Sequence, residues 1–292
     1  MRKFSLLLLV LASSLLHAQD IKQIEEDLMK KISDPSVTYG KNKEAGKFYD
    51  IRGFKMYAET YGQGQPLLII HGNGGSINNF LYQIPYFSQH YKVIVADSRS
   101  HGKSMDLKDS LTYEMMADDY AALLTEMKID SAYVIGWSDG GINGLLLAIR
   151  HPEKVKKLAV TGANLVPDTT AVPQAIWDMV RPAQAELKNK SNKTASEKAQ
   201  LKLLNLLCDQ PHISAAELNT IQCPTLVIGG DHDVIKEEHT LYIYKQIPRS
   251  YLWILPNSGH STPIVYKDEF NQRIDQFFKT PYRSFDAQAR FF

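Results

Sequence analysis

The run Ile135-Gly136-Trp137-Ser138-Asp139-Gly140-Gly141 constrains the fold more than any other stretch, because it joins a strand-like segment to a helix-like one through a serine flanked by glycines. Ala132 to Ile135 is short, apolar and partly β-branched, which predicts a buried strand; Gly141 to Ile149 is almost continuously apolar, which predicts a buried helix. Ser138 then sits on the turn between them. The residues two before and two after it must be small for strand and helix to cross closely, and here they are Gly136 and Gly140. The first N–H groups of such a helix have no partner within it, so they point at the space beside the serine hydroxyl, where an oxyanion would be stabilised.

Around this turn, short apolar runs alternate with longer stretches. Lys47 to Tyr61 reads as two antiparallel strands turning at Arg52-Gly53. Pro66 to Ile70, Val93 to Ala96, Tyr133 to Ile135, Leu158 to Thr161, Thr225 to Ile228 and Tyr251 to Leu255 read as strands buried on both faces. The expected fold class is α/β, a mostly parallel sheet with helices on both faces and a small helical cap insertion. The insertion is expected over residues 163–221, where Val172 to Lys190, Ser196 to Cys208 and Ala215 to Ile221 carry helical patterns and no strand. Its Lys188, Lys190, Lys193, Lys198 and Lys202 read as a solvated face. The expected organisation is thus an N-terminal helix and linker (19–46), a core in two parts (47–162 and 222–279), the cap between them, a closing helix at Lys267 to Phe278, and a tail (280–292) without a reading.

Residues 1–18 stand apart. Arg2 and Lys3 precede Phe4 to Leu16, a weakly polar run of 13 residues, then His17-Ala18 and the first acid, Asp20. This pattern predicts a secretory signal peptide cut after Ala18. The run is short of the roughly 20 residues needed to cross a bilayer, so the mature chain is expected to be periplasmic or secreted, without stable membrane insertion. Basic and acidic residues nearly balance, 33 against 32, which points away from nucleic acid and towards a small-molecule substrate not selected by net charge. Oligomeric state is not legible. In an oxidising compartment Cys208 and Cys223 could close a loop of about 15 residues, but Cys223, just before Pro224, reads equally as a small apolar residue.

Three further motifs fall where buried strands end, the place where open α/β sheets bind ligands. His71-Gly72-Asn73-Gly74-Gly75 is a loop able to present a backbone N–H, and the N–H groups of Asn73 and Asp139 are the expected oxyanion hole. Gly229-Gly230-Asp231-His232-Asp233-Val234-Ile235 supplies a carboxylate, and Pro256-Asn257-Ser258-Gly259-His260 an imidazole. A serine hydroxyl is a weak nucleophile until a base takes its proton, and that base works best when a buried carboxylate fixes its tautomer. Ser138, Asp233 and His260 are therefore the expected catalytic residues; Asp231 is the rival acid, and His101 reads as a brace of its own loop. Asp231, His232 and His239 match no standard metal spacing, so neither metal nor cofactor is expected.

On these four motifs, which span about residues 47 to 279, the chain resembles the α/β-hydrolase superfamily. The Ser, Asp, His order is that of the superfamily. Serine at 138 argues against its haloalkane dehalogenase and epoxide hydrolase branches, which use a carboxylate nucleophile. GWSDGG (136–141), TGAN (161–164) and QCPTLVIGGDHDVI (222–235) are also similar to the valacyclovir hydrolase type, which cleaves α-amino-acid esters. That resemblance implies that Asp139 recognises a substrate α-amino group, whereas a carboxylate in the first turn of a helix is also favoured by the helix dipole alone. The expected activity is an exported, cofactor-free serine hydrolase acting on a small carboxylic ester or amide. A peptidase on the same triad and a non-catalytic hydrolase-fold module are the competing readings.

Overall fold

A hairpin leads the chain into its sheet, and its turn carries positive φ at both Arg52 (44°) and Gly53 (90°). Such a turn twists in the same sense as the strands it joins, and glycine adopts it without strain. The computed structural model describes residues 18–106, 108, 110–284 and 291; the expected signal peptide lies outside them except for Ala18. Eight strands form one sheet: β1 (Gly46–Ile51), β2 (Phe54–Tyr61), β3 (Gln65–Ile70), β4 (Tyr91–Ala96), β5 (Ala132–Trp137), β6 (Val155–Thr161), β7 (Thr225–Gly230) and β8 (Ser250–Leu255). Their order is β1-β2-β4-β3-β5-β6-β7-β8, with β2 antiparallel to both neighbours and every other pair parallel.

The helices are α1 (Ala18–Ser33), α2 (Gln83–Phe87), α3 (Tyr113–Glu126), α4 (Asp139–Arg150), α5 (Gln174–Asn189), α6 (Ala195–Asp209), α7 (Ala215–Leu218), α8 (Glu237–Gln246), α9 (Thr262–Val265) and α10 (Lys267–Lys279). Alternate residues of the central strands go to opposite faces. Leu68, Ile70, Val134, Leu158 and Val227 join one apolar cluster with Tyr120 of α3 and Leu145 of α4. Leu67, Ile69, Ile135, Ala159 and Ile228 join another with Phe87 of α2 and Phe270 of α10. The continuous apolar runs of the central strands have this cause: both faces of the sheet are covered there. Each such side chain contributes up to roughly 1.5–3 kcal/mol. β8, at the sheet edge, does not follow the expectation, since only its Leu255 is buried and Leu252 is 37% exposed. Both cysteines are free and buried, and burial pushes both thiols up to about 11.

The linker before the sheet is tied down by one buried carboxylate. Glu59 accepts from the Gly40 and Asn42 N–H groups and from the Tyr57 and Tyr61 hydroxyls, at 2.8 to 3.0 Å, which offsets the cost of burying its charge. At the other end, Tyr282 lies edge-on to Tyr251 at 5.6 Å and under the Arg249 guanidinium at 4.7 Å, so the first residues after α10 pack on β8.

Between β6 and β7 the chain forms α5, α6 and α7. Gln184 of α5 donates to Asn205 and Asp209 of α6, and Trp177, Cys208 and Ile235 share a small apolar cluster. One expectation for this segment fails. Lys202 does not belong to a solvated face: its ammonium donates to the Asp106 and Lys108 carbonyls and the Ser100 hydroxyl. These three acceptors belong to the loop after β4, about a hundred residues earlier in the chain, which no lysine count along α6 reveals.

Candidate active site

Ser138 sits between β5 and α4 with φ 58° and ψ −122°. For a non-glycine residue this conformation costs on the order of 1–3 kcal/mol, so the surroundings must enforce it. They do so through close backbone crossings. A methyl group at Gly140 would stand 2.0 Å from the Ile70 carbonyl oxygen, and one at Gly136 would stand 2.2 Å from the Gly140 oxygen. The Ser138 N–H donates to the Thr161 carbonyl at 2.9 Å, which pins the turn to β6.

His260 and Asp233 come to this serine from the loops after β8 and β7. His260 Nε2 lies 2.9 Å from Ser138 Oγ, and His260 Nδ1 lies 2.6 Å from Asp233 Oδ1. Asp233 is acceptor-only when ionised, so Nδ1 carries the proton and Nε2 faces the hydroxyl with its lone pair. The Asp233 side chain is fully buried and that of His260 is 13% exposed; Asp233 Oδ1 also accepts from the Ile235 N–H. Burial pulls the His260 imidazolium down, but the Asp233 charge and hydrogen bond, with a smaller contribution from Asp139, outweigh it and leave the pKa above the ordinary value of 6.5.

Asp231 has another occupation. Its two oxygens accept from the Asn257 and Ser258 N–H groups, at 2.9 and 3.0 Å. It therefore shapes the loop that carries His260 and does not touch the ring. Two residues that sequence reasoning passed over also hold that ring. The Trp137 indole N–H donates to the His260 carbonyl at 2.9 Å. Gly162, at φ 63°, leaves room for the imidazole, since a methyl group there would come within 2.7 Å of His260 Cε1. The glycine of TGAN was visible in the sequence; its role required knowing what lies beside β6.

Three other buried histidines, His71, His101 and His239, are held by backbone partners. His71 donates from Nδ1 to the Gly72 carbonyl and accepts the Ser98 N–H at Nε2, and burial lowers its pKa to about 4. His101 donates from Nδ1 to the Arg99 carbonyl, in keeping with a brace, and burial takes it down to about 3. His239 accepts the Leu165 N–H at Nε2. Among the described residues no cluster of three or more His, Cys, Asp or Glu could hold a metal ion. Within the 98–106 loop, Arg99 is buried in a two-pronged bond to Asp119 of α3 at 2.6 and 2.7 Å and a third bond to Asp106 at 2.8 Å, an ion cluster the sequence did not signal.

Asn73 and Asp139, the expected oxyanion-hole residues, meet through their side chains. Asn73 Nδ2 donates to Asp139 Oδ2 at 2.9 Å and to the Leu203 carbonyl of α6 at 3.2 Å. The N–H groups of both residues make no hydrogen bond to the described residues. Asp139 is 2% exposed. Burial pushes its carboxyl up to about 6, against the lowering effects of Asn73, Tyr113 and the His260 charge. The Tyr113 hydroxyl lies beside this carboxylate but outside ordinary hydrogen-bond geometry. Of two surface grooves, about 420 Å³ around Arg52, Asp118 and His151 and about 280 Å³ around Tyr82 and Lys267, neither includes a residue of this constellation.

The sequence profile of the alpha/beta hydrolase fold family matches residues 65–212, half of the chain and all of the segment from β3 through the elbow to the end of α6. The chain belongs to the α/β-hydrolase family. Similar members include the serine hydrolase BPHL of Mus musculus, 23% identical over 286 residues that cover 89% of this chain and 96% of the relative. A 2-hydroxymuconate semialdehyde hydrolase of Pseudomonas sp. (strain CF600) is 26% identical over 267 residues, covering 80% of this chain and 94% of that enzyme. Among solved structures, the enol-lactonase of Burkholderia xenovorans LB400 superimposes with a TM-score of 0.69 at 19% identity, over 80% of this chain and all of that one. The relatives described here are named as hydrolases, and this chain is an enzyme of that broad class.

Proposed function

We propose that the protein is an exported serine hydrolase that cleaves a small carboxylic ester, or an amide, through an acyl-enzyme on Ser138. The observation that carries this reading is the unbroken chain from Ser138 Oγ through His260 to the buried Asp233, set beside the start of α4. In the first half-reaction Ser138 Oγ attacks the substrate carbonyl carbon while its proton passes to His260 Nε2. The Asp233 carboxylate stabilises the imidazolium and does not itself take the proton. The Asn73 and Asp139 N–H groups receive the developing oxyanion. Collapse of the tetrahedral species breaks the bond to the leaving group, which takes the proton from Nε2. Water then repeats the sequence on the acyl-enzyme, with His260 as base, and frees Ser138.

The acyl group we assign to this site carries an α-amino function. Asp139 is a carboxylate next to the nucleophile and buried, and the similarity to valacyclovir hydrolase-type enzymes supports an ammonium as its partner. A charge-assisted hydrogen bond there would contribute about 1.5–3 kcal/mol. Export rests on the basic, apolar and small-residue pattern of residues 1–18; N-terminal sequencing of the protein from its native host tests it, and an intact Met1 would refute cleavage. The reaction is tested by a panel of aryl esters, aminoacyl esters, aminoacyl arylamides and lactones against wild type and Ser138→Ala. Esters turned over by wild type and not by the variant support the proposal. Arylamides preferred over esters would make it a peptidase, and full turnover by Ser138→Ala would remove serine catalysis altogether.

A further inference from the structure

We propose that the Asn73 carboxamide is a positioning residue that clamps the two N–H donors of the oxyanion hole into register and makes their geometry depend on the seat of α6. The inference rests on the serine-hydrolase reading above. The two donors belong to chain segments 66 residues apart, one on the loop after β3 and one at the start of α4. The Asp139 N–H is rigid because it begins a helix. The Asn73 N–H lies instead on a loop outside any helix or strand, between Gly72, which packs on Ser138, and Gly74, which has positive φ (65°) and open space around it. The main-chain turn bond nearest to it, from the Gly75 N–H to the Gly72 carbonyl, closes around Asn73 without engaging its own N–H.

The side chain supplies the missing restraint. A carboxamide NH₂ has two donors, and both are used, one on Asp139 Oδ2 and one on the Leu203 carbonyl. The flipped rotamer would set the amide oxygen against two acceptors, so the orientation is determined by its surroundings. The bond to Asp139 ties the loop donor to the residue whose own N–H is the other donor. The bond to Leu203 ties both to α6, and α6 is itself fastened at the adjacent position, where Lys202 donates to the Asp106 and Lys108 carbonyls and the Ser100 hydroxyl. A displacement of α6 thereby reaches the oxyanion hole directly. Oxyanion donors act through placement, so a small shift of one of them is felt in the transition state far more than in substrate binding.

The test uses an aryl acetate, which has no amino group for Asp139 to recognise, and a trifluoromethyl ketone, whose adduct with Ser138 mimics the tetrahedral oxyanion. Asn73→Ala is expected to lower kcat by about ten- to a hundredfold with KM within about threefold, and to weaken the ketone by the same factor as kcat. Asp139→Ala is expected to show the same pattern, and the double variant to be no worse than the poorer single one. Asn73→Asp sets two carboxylates together, so its activity relative to Asn73→Ala should rise as pH falls and a shared proton restores a donor. Unchanged kcat in Asn73→Ala, a loss confined to KM, or additive losses in the double variant would overturn the clamp. Were Asn73→Ala not to fold, a pH-independent ratio of Asn73→Asp to wild type would overturn it instead. Ser138→Ala, assayed alongside, separates the two readings: if it turns over, serine hydrolysis fails, and if it is inactive while Asn73→Ala is normal, only the clamp fails.

Discussion

His260 Nδ1 lies 2.6 Å from Asp233 Oδ1, while Asp231, two residues earlier in the same loop, turns both of its oxygens to the N–H groups of Asn257 and Ser258. One carboxylate faces the imidazole and the other builds the loop that carries it. Asp233→Asn removes the charge that stabilises the imidazolium and can hold the wrong tautomer, so kcat should fall by roughly 10⁴ with the fold intact. Asp231→Asn leaves the ring untouched and weakens two backbone hydrogen bonds, so it should lower thermal stability and change kcat by less than about tenfold. Kinetics and melting curves on both variants check this, and the reverse ranking would move the acid to Asp231.

The pH dependence follows from the direction of the His260 shift. Only the neutral imidazole accepts the serine proton, so kcat/KM should be low in acid and rise through the pKa of the free enzyme. That pKa lies above 6.5 because the Asp233 charge outweighs burial. A rate that is flat between pH 5 and 8 would contradict the role of His260, and a midpoint well below 6.5 would contradict the electrostatic account of it.

Asp139 should cost the protein stability at neutral pH. Its folded pKa is raised from 3.8 to about 6 by burial, so between those values the folded state binds more protons than the unfolded one and stability falls as pH rises. The penalty is fully present above pH 6 and amounts to about 3 kcal/mol. Asp139→Asn removes it, so the variant should melt higher than wild type, with a larger gain at pH 8 than at pH 4. An equal gain at both would mean that the carboxyl is not held neutral by burial.

Gly162 is expected to tolerate no side chain without loss of rate. Gly162→Ala would place a methyl group 2.7 Å from His260 Cε1 at a backbone φ of 63°, which strains the turn and displaces the ring. The outcome should be a fall in kcat of tenfold or more together with a lower Tm; a variant with normal kcat would show that the imidazole has room to move.

The central strands β3, β4, β5 and β7 were legible because each carries a continuous apolar run, as a strand buried on both faces must. The elbow was legible for a steric reason, since only glycine fits where Gly140 meets the Ile70 carbonyl at the distance seen here. What stayed hidden depends on partners distant in sequence. Lys202 looked like one lysine among five, and only the fold brings the Asp106 and Lys108 carbonyls to it. Trp137 occupied the variable position of the G-x-S-x-G pattern, and its bond to the His260 carbonyl, 123 residues away, could not be anticipated from a residue type that usually signals packing. The pairing of Asn73 with Asp139 was missed for a related reason. Asn73 reads as a backbone donor, and Asp139 as a backbone donor or as a carboxylate for a substrate ammonium, and nothing in the spacing says that the two side chains meet.

The central claim is that Ser138 is a nucleophile activated by His260, and covalent labelling by a fluorophosphonate tests it most directly. Intact-mass and peptide mass spectrometry of the protein should show a single adduct on the peptide containing Ser138, formed at a rate that follows the pH profile of turnover. Ser138→Ala should take up no label, and His260→Ala should label slower by several orders of magnitude. Label on another residue, or hydrolysis that persists in an enzyme whose Ser138 is fully modified, would contradict the account.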